Sequence, residues 1–221
     1  MSFNVIDNVK KIRNEVPETV SLICVSKTKP NELIMEAYNA GEREFGENKV
    51  QELTEKYETL PKDIKWHFIG HLQRNKVKYI VGKLHLLHSL DGVKLLHELE
   101  KRYGKEELEL NTLIQVNVGE EESKTGLHKN EVNDFIKEVE KCSHVKVKGI
   151  MAIIPKGTEE QCRSYFKEMK EMYENLKKMD YNNVSMEILS MGMSGDYKIA
   201  IDEGSNMVRV GTGVFGNRVY K

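Results

Sequence analysis

The hydrophobic residues follow two periodicities that alternate along the chain. Short segments rich in Val, Ile, Leu and Phe, typical of buried strands, occur at 19–27, 43–48, 65–71, 84–91, 111–118, 145–153, 184–193 and 206–216. Between them, apolar residues recur every three or four positions, which predicts helices that cover a sheet with one face. The clearest of these segments are 31–40, 92–103, 129–142 and 158–179. Strands that alternate with helices in this way predict parallel β-α units.

The number of strands separates two parallel architectures. An open doubly wound sheet typically has about five or six strands, so eight favour a closed (β/α)8 barrel of the TIM type. The chain has 221 residues, close to the roughly 250 that such barrels usually need. Because no Pro-, Gly- or Ser-rich linker interrupts the pattern, we expect one domain over residues 1–221.

Composition narrows the class of protein. The 34 Lys+Arg and 35 Asp+Glu residues give a net charge of -1, which argues against a generally basic nucleic-acid binder. The 3 cysteines contain no C-x-x-C pair, which argues against a disulfide framework or a thiolate zinc site. The chain shows neither a signal-peptide h-region nor a membrane-length apolar stretch. We therefore expect a cytoplasmic protein that contacts neither nucleic acid nor membrane.

The first and last strands each end near a basic residue. Functional residues of parallel barrels gather at the carboxyl ends of the strands. Lys27 ends the first strand, where partial desolvation would favour the neutral amine of Schiff-base chemistry; an ordinary surface lysine is the alternative. Arg209 points into the barrel by strand alternation, and a buried guanidinium needs hydrogen-bond acceptors. An ion pair with Glu44 or Asp91, or a ligand at the barrel centre, would supply them.

Two glycine-bearing turns follow the seventh and eighth strands. One contains Ser194 and the other Gly211-Thr212. Glycine lets backbone N–H groups approach an anion, and the two hydroxyls can donate as well. Either turn alone would fit an ordinary tight β-α connection. Together they predict a phosphate site, because such barrels often bind phosphate after strands seven and eight.

Other polar residues at this end have a structural interpretation beside the functional one. Asn48, His71, Gln115 and Asn117 would each fit a ligand site or an internal hydrogen-bond network. His67 and His71 form H-x-x-x-H on a strand, without the Glu of the zincin motif. We therefore expect no metal site there, and interpret the histidines at 85 and 88 as surface or packing residues.

Several motifs resemble, in order, those of one protein family. They are VSKTKP at 25–30, FGEN at 45–48, WHFIGHLQRNK at 66–76, and the blocks 190–194, 208–211 and 215–218. In these blocks the chain is similar to the pyridoxal phosphate homeostasis proteins (YggS/PROSC-like), over nearly its whole length. The resemblance implies a barrel like the N-terminal domain of alanine racemase, with the fold type III arrangement of pyridoxal 5'-phosphate (PLP) proteins.

The resemblance also implies roles for individual residues. Lys27 would hold PLP as a Schiff base, Arg209 would face the pyridine nitrogen, and Asn48 would lie beside the ring. The phosphate would be held by Ser194, Gly211 and Thr212. No residue is assigned a catalytic role. Lys29 and Lys124 are the alternative PLP lysines if Lys27 is not the one.

An arginine at the pyridine nitrogen bears on function. A guanidinium donates a hydrogen bond but no proton, so the ring stays a poor electron sink. Racemases with this arrangement take one acid/base group from a second domain, and only 217–221 follow Gly216 here. We expect a non-catalytic, monomeric protein of PLP (vitamin B6) homeostasis, with PLP-dependent apo-enzymes as candidate recipients. The alternatives are a minimal PLP-dependent amino-acid racemase and a Schiff-base aldolase that works without PLP.

Overall fold

The computed structural model describes residues 4–122 and 124–217. Arg218, the end of the last motif block, lies outside the described residues. Each of the eight predicted strands is present, in the order β1 (Ser21–Val25), β2 (Glu44–Glu47), β3 (Lys65–Phe68), β4 (Leu86–Leu90), β5 (Leu110–Val116), β6 (Val145–Ala152), β7 (Val184–Met193) and β8 (Met207–Val210).

The strands close into a parallel barrel in sequence order. Closure occurs where β1 pairs with β8, from Ser21 opposite Met207 to Cys24 opposite Val210. The predicted (β/α)8 barrel is therefore confirmed. The predicted eighth segment, 206–216, is wrong over its second half, because the chain turns at Gly211 and residues Thr212–Phe215 form a short helix.

Helices cover the outside of the barrel. They are α1 (Val5–Glu15), α2 (Asn31–Asn39), α3 (Val50–Thr59), α4 (Val93–Lys105), α5 (Val132–Val139), α6 (Glu159–Lys177), α7 (Tyr197–Asp202) and α8 (Thr212–Phe215). The start of α6 shows how the sequence sets such a boundary: Thr158 and Gln161 form a capping box that satisfies backbone N–H groups at the helix end. Within the described ranges, no helix has both the length and the hydropathy needed to cross a membrane.

Two hydrophobic clusters hold these layers together. The larger one lies between the strands and the helices. The smaller one fills the barrel interior and comprises Ile23, Leu86, Leu113, Met151 and Met207, with Ile153 and Ile188 packed against it. Buried polar side chains share this interior, since His67, His88, Ser190 and Arg209 are all at most 3% exposed. The barrel therefore encloses a polar path through an otherwise apolar core.

Candidate functional site

Four adjacent strands bring the predicted site residues to one edge of the barrel. Met193 of β7 lies opposite Arg209, Cys24 of β1 opposite Val210, and Val25 opposite Gly46 of β2. Because the strands are parallel, the residues that follow them emerge at the same carboxyl end. The segments carrying the six predicted cofactor-binding residues are therefore neighbours around one arc of the barrel mouth.

Lys27 lies two residues beyond β1 and is half-buried. The residue after β8 packs against the end of β1, since a Cβ atom built on Gly211 would lie 3.3 Å from the carbonyl oxygen of Val25. The two alternative lysines have other surroundings. Lys29 Nζ donates to the carbonyl oxygens of residues 215, 216 and 217 at 2.9, 3.1 and 2.9 Å. Lys124 is exposed and pairs with Glu121 at 2.8 Å.

Arg209 lies inside the barrel without a carboxylate partner among the described residues. Its Nη1 donates to Ser190 Oγ at 2.5 Å, and its Nη2 donates to the carbonyl oxygen of Ala152 at 2.9 Å. Glu44 instead pairs with a lysine and Asp91 with a histidine, so the ion-pair explanation of this arginine is wrong. Burial lowers the pKa of the guanidinium to about 10. A buried positive charge therefore faces the barrel centre with only neutral acceptors.

Two imidazoles continue the hydrogen-bond chain from Arg209 into the barrel. Ser190 Oγ lies 3.2 Å from His88 Nδ1, and His88 Nε2 lies 2.9 Å from His67 Nδ1. Burial lowers the pKa of His67 to about 3 and holds the pKa of His88 well below its ordinary value. Both rings are thus neutral at pH 7, and they support Arg209 without adding charge. This chain was not predicted from the sequence, although strand alternation points histidines of β3 and β4 inward.

The turns after β7 and β8 contact each other through one hydroxyl. Ser194 Oγ accepts from the N–H groups of Gly211 at 3.1 Å and Gly213 at 3.4 Å. Gly192 has φ 95° and leaves no room for a side chain, since its Cβ would lie 2.6 Å from Cβ of Ala200. Thr212 is exposed at the start of α8. The turns after β7 and β8 therefore place one hydroxyl beside two backbone N–H groups, and Ser194 and Gly213 line a cavity of about 460 Å³.

Asn48 offers an acceptor that no described residue satisfies. Its Oδ1 is buried and has no hydrogen-bond partner. A Cβ atom on Gly70 would lie 2.4 Å from the carbonyl oxygen of Asn48. Asn48 can therefore pack this closely only because residue 70 has no side chain. Buried polar atoms normally have partners. An unsatisfied amide oxygen beside the mouth indicates a place for a bound polar molecule.

The remaining polar residues of this end belong to networks of the fold. Gln115 Nε2 donates to the carbonyl oxygen of Thr125 at 2.9 Å, and Asn117 Nδ2 donates to that of Glu121 at 2.9 Å. These bonds hold the loop that follows β5. His71 is exposed and lies 2.9 Å from a carboxylate oxygen of Asp91.

A buried ion pair lies between α3 and the strands β1 and β2, which lead to Lys27 and Asn48. Glu47, the residue before Asn48, is fully buried, and its Oε1 accepts from Ser26 Oγ at 2.6 Å and from Lys56 Nζ at 2.8 Å. Lys56 also donates to the carbonyl oxygen of Ser26 at 2.9 Å. Burial raises the pKa of Glu47, and Lys56 opposes that shift. This network ties β1, β2 and α3 together; the sequence signal for it was an acidic residue ending an apolar strand.

The residues present fit PLP by the chemistry of their side chains and backbone. Neighbouring strands and the turns after them carry four kinds of group: a half-buried amine, a guanidinium with no carboxylate contact among the described residues, a hydroxyl with backbone N–H groups, and an unsatisfied amide oxygen. Their chemistry suits the groups that PLP carries, which are an aldehyde, a pyridine nitrogen, a phosphate and ring substituents.

Comparisons with known proteins agree with this fold. The family model "Alanine racemase, N-terminal domain" matches residues 3–219. A pyridoxal phosphate homeostasis protein of Aquifex aeolicus is 45% identical over 201 residues, which cover 90% of this chain and 87% of that protein. An alanine racemase of Clostridium difficile 630 has a TM-score of 0.81 at 13% identity and covers 99% of this chain and 58% of its own, which is a likeness of fold alone.

Solved structures of PipY from Synechococcus elongatus PCC7942 are also similar to this chain. The structure without PLP has a TM-score of 0.91 at 32% identity, and the structure with PLP bound has 0.87 at 31%. Both cover 96% of this chain and 100% of PipY. The chain therefore belongs to the alanine racemase N-terminal domain family and, within it, to the pyridoxal phosphate homeostasis proteins.

Proposed function

We propose that this protein binds PLP and acts in cytoplasmic PLP homeostasis without catalysing a reaction of its own. Lys27 Nζ would bond to the aldehyde carbon of PLP as a Schiff base, the aldehyde oxygen leaving as water. The observation that carries the proposal is Arg209, a guanidinium 3% exposed with no carboxylate contact among the described residues. It lies on the strand paired with the one that leads to Lys27.

Each remaining site residue has a part in this proposal. Arg209 would donate a hydrogen bond to the pyridine nitrogen, and because a guanidinium keeps its protons, that nitrogen would stay unprotonated. Ser194, Gly211 and Thr212 would hold the phosphate through hydroxyl and backbone N–H groups. The amide of Asn48 would contact the ring. Bound PLP supplies an electrophilic carbon and an electron-accepting ring, and the unprotonated nitrogen weakens the second of these.

The relatives support this function. The Aquifex aeolicus protein is named a pyridoxal phosphate homeostasis protein, and PipY was solved with PLP bound. A homeostatic role would have PLP-dependent apo-enzymes as recipients of the cofactor. The monomeric state and the cytoplasmic location stay predictions.

Absorption spectroscopy tests cofactor binding. PLP added to the purified apo-protein is expected to give the visible band of a protein-bound Schiff base, and Lys27→Ala is expected to lose it. Lys124→Ala is the matched control, because that lysine is exposed at the same mouth, and it should keep the band. Absence of the band in the wild type would favour an aldolase that works without PLP.

Deuterium exchange tests the absence of catalysis. The PLP-loaded protein would be incubated in D2O with each of the proteinogenic amino acids, and loss of the α-proton followed by NMR. We expect exchange no faster than free PLP produces at the same concentration. Exchange at a catalytic rate that disappears in Lys27→Ala would show a minimal racemase or related PLP enzyme instead.

A further inference from the structure

A second polar cluster lies at the opposite end of the barrel. Glu44 is the first residue of β2, His67 belongs to β3, and His85 immediately precedes β4. One ligand atom from each of these side chains lies within 4.8 Å of the other two. Two imidazole nitrogens and a carboxylate oxygen form a donor set that suits Zn²⁺ and related first-row cations. The H-x-x-x-H pattern did not reveal this grouping, because His85 comes from the next strand.

His67 supplies an independent reason to expect a ligand at this place. Its side chain is fully buried, and its Nδ1 lies 2.9 Å from His88 Nε2. Its Nε2 is also buried and has no hydrogen-bond partner among the described residues. The ring of His85 lies beside it, with 5.4 Å between the ring centroids, and His85 is exposed to solvent. A cation could therefore reach His67 Nε2 from the end of the barrel where the strands begin, which we call the floor of the barrel.

We propose that Glu44, His67 Nε2 and His85 form a Zn²⁺ site at the floor of the barrel. Three protein ligands leave the fourth tetrahedral position to water, as in other sites with two histidines and a glutamate. Coordination through Nε2 requires the His67 proton on Nδ1, where it donates to His88 Nε2. His88 then acts as the outer hydrogen-bond partner that orients a metal-bound imidazole. The inference does not depend on PLP binding.

Lys65 is the charged group that competes with a cation here. It faces Glu44 across the β2–β3 pair, with 3.5 Å between Lys65 Nζ and Glu44 Oε1. The lysine side chain is 51% exposed, and ion pairs of such exposed groups are weak. It can therefore turn into solvent when a divalent cation binds the carboxylate.

Calorimetric titration with Zn²⁺ tests the site. The full-length protein would be stripped with a chelator, dialysed and titrated with Zn²⁺, and Co²⁺ would be added separately to record ligand-field absorption. We expect one Zn²⁺ per chain and a tetrahedral Co²⁺ spectrum. His85→Ala and Glu44→Gln replace partly exposed ligands without emptying the core. Each is expected to weaken Zn²⁺ binding at least about tenfold. That is the smallest loss typical when only an outer hydrogen-bond partner of a metal ligand is removed, and these variants remove the ligand itself.

His97→Ala is the matched control. This histidine is 62% exposed on α4, and its nearest carboxylate belongs to Glu138 at 3.9 Å. The control is expected to bind Zn²⁺ as the wild type does. The proposal is overturned if the wild type binds no Zn²⁺, or if His85→Ala and Glu44→Gln bind it as tightly as the wild type. A Co²⁺ spectrum without tetrahedral character would overturn the proposed geometry.

Discussion

Lys56→Met removes the cation of the buried pair behind the Lys27 strand. The lysine is 7% exposed, Glu47 is 0% exposed, and 2.8 Å separate Lys56 Nζ from Glu47 Oε1. The variant leaves Glu47 with the Ser26 hydroxyl as its remaining partner, since its Oε2 has none. Removing one member of a buried pair typically costs about 3–5 kcal/mol of unfolding free energy. For a chain of this size, about 1 kcal/mol shifts the melting temperature by roughly 2–4 °C, so we expect a decrease of roughly 6–20 °C.

Urea denaturation of the apo-protein measures this loss against two controls. Lys137→Met breaks an exposed pair with Asp134, where the side chains are 74% and 81% exposed, and should leave the free energy of unfolding nearly unchanged. Lys56→Met combined with Glu47→Leu replaces both charges by apolar groups and should recover most of the stability. If Lys56→Met cost as little as Lys137→Met, Glu47 would not be a buried charge that depends on this lysine.

The same variant has a pH dependence whose sign follows from Glu47. Burial raises the pKa of this carboxyl, and loss of Lys56 removes a cause that lowers it. A folded-state pKa above the unfolded value means that the folded state binds more protons, so stability falls as pH rises between the two values. The destabilisation by Lys56→Met should therefore be smaller at pH 4 than at pH 8. A difference from the wild type that stays constant between those pH values would contradict the assignment.

Three further predictions concern the mouth, the packing and the thiols. Ser194→Ala should weaken binding of PLP about tenfold, the effect of losing roughly 1.4 kcal/mol of binding free energy. Binding of pyridoxal, which lacks the phosphate, should stay unchanged in the same equilibrium titrations. Equal losses for both ligands would show that Ser194 does not contact the phosphate. Gly70→Ala should cost about 1–3 kcal/mol in urea denaturation by overpacking against Asn48, whereas Gly92→Ala, with nothing within 4 Å of its Cβ, should not. The buried thiols of Cys24, Cys142 and Cys162 should react with Ellman's reagent only on unfolding; burial raises the pKa of Cys142 to about 11, and one fast-reacting thiol in the native protein would refute this.

The barrel itself could be predicted because its strands are short apolar segments separated by helical periodicity. Prediction failed where local pattern and tertiary packing disagree. Residues 206–216 appear as one apolar segment, yet the chain turns at Gly211 and buries Val214 and Phe215 as a helix. The packing of this helical turn against the barrel, rather than strand propensity, therefore determines where β8 ends.

The positions of the candidate site residues were predictable where a residue lies within two positions of a strand end. Strand order alone predicts the edge of the barrel, and the alternation of side chains along a strand predicts the face on which a residue lies. These two rules place Lys27, Asn48, Ser194 and Gly211. The chain His67–His88–Ser190–Arg209 and the pair Glu47–Lys56 join residues that are distant in sequence. No spacing in the sequence encodes those contacts, because they depend on how the barrel closes and how α3 packs.

Borohydride reduction followed by peptide mass mapping identifies the lysine that binds PLP. The PLP-loaded protein would be reduced, which converts a Schiff base into a stable secondary amine, then digested and analysed by mass spectrometry. We expect one pyridoxyl adduct, on Lys27, and its loss in Lys27→Ala. An adduct on Lys29 or Lys124 with Lys27 unmodified, or the same amount of covalent PLP in Lys27→Ala, would contradict the proposed site.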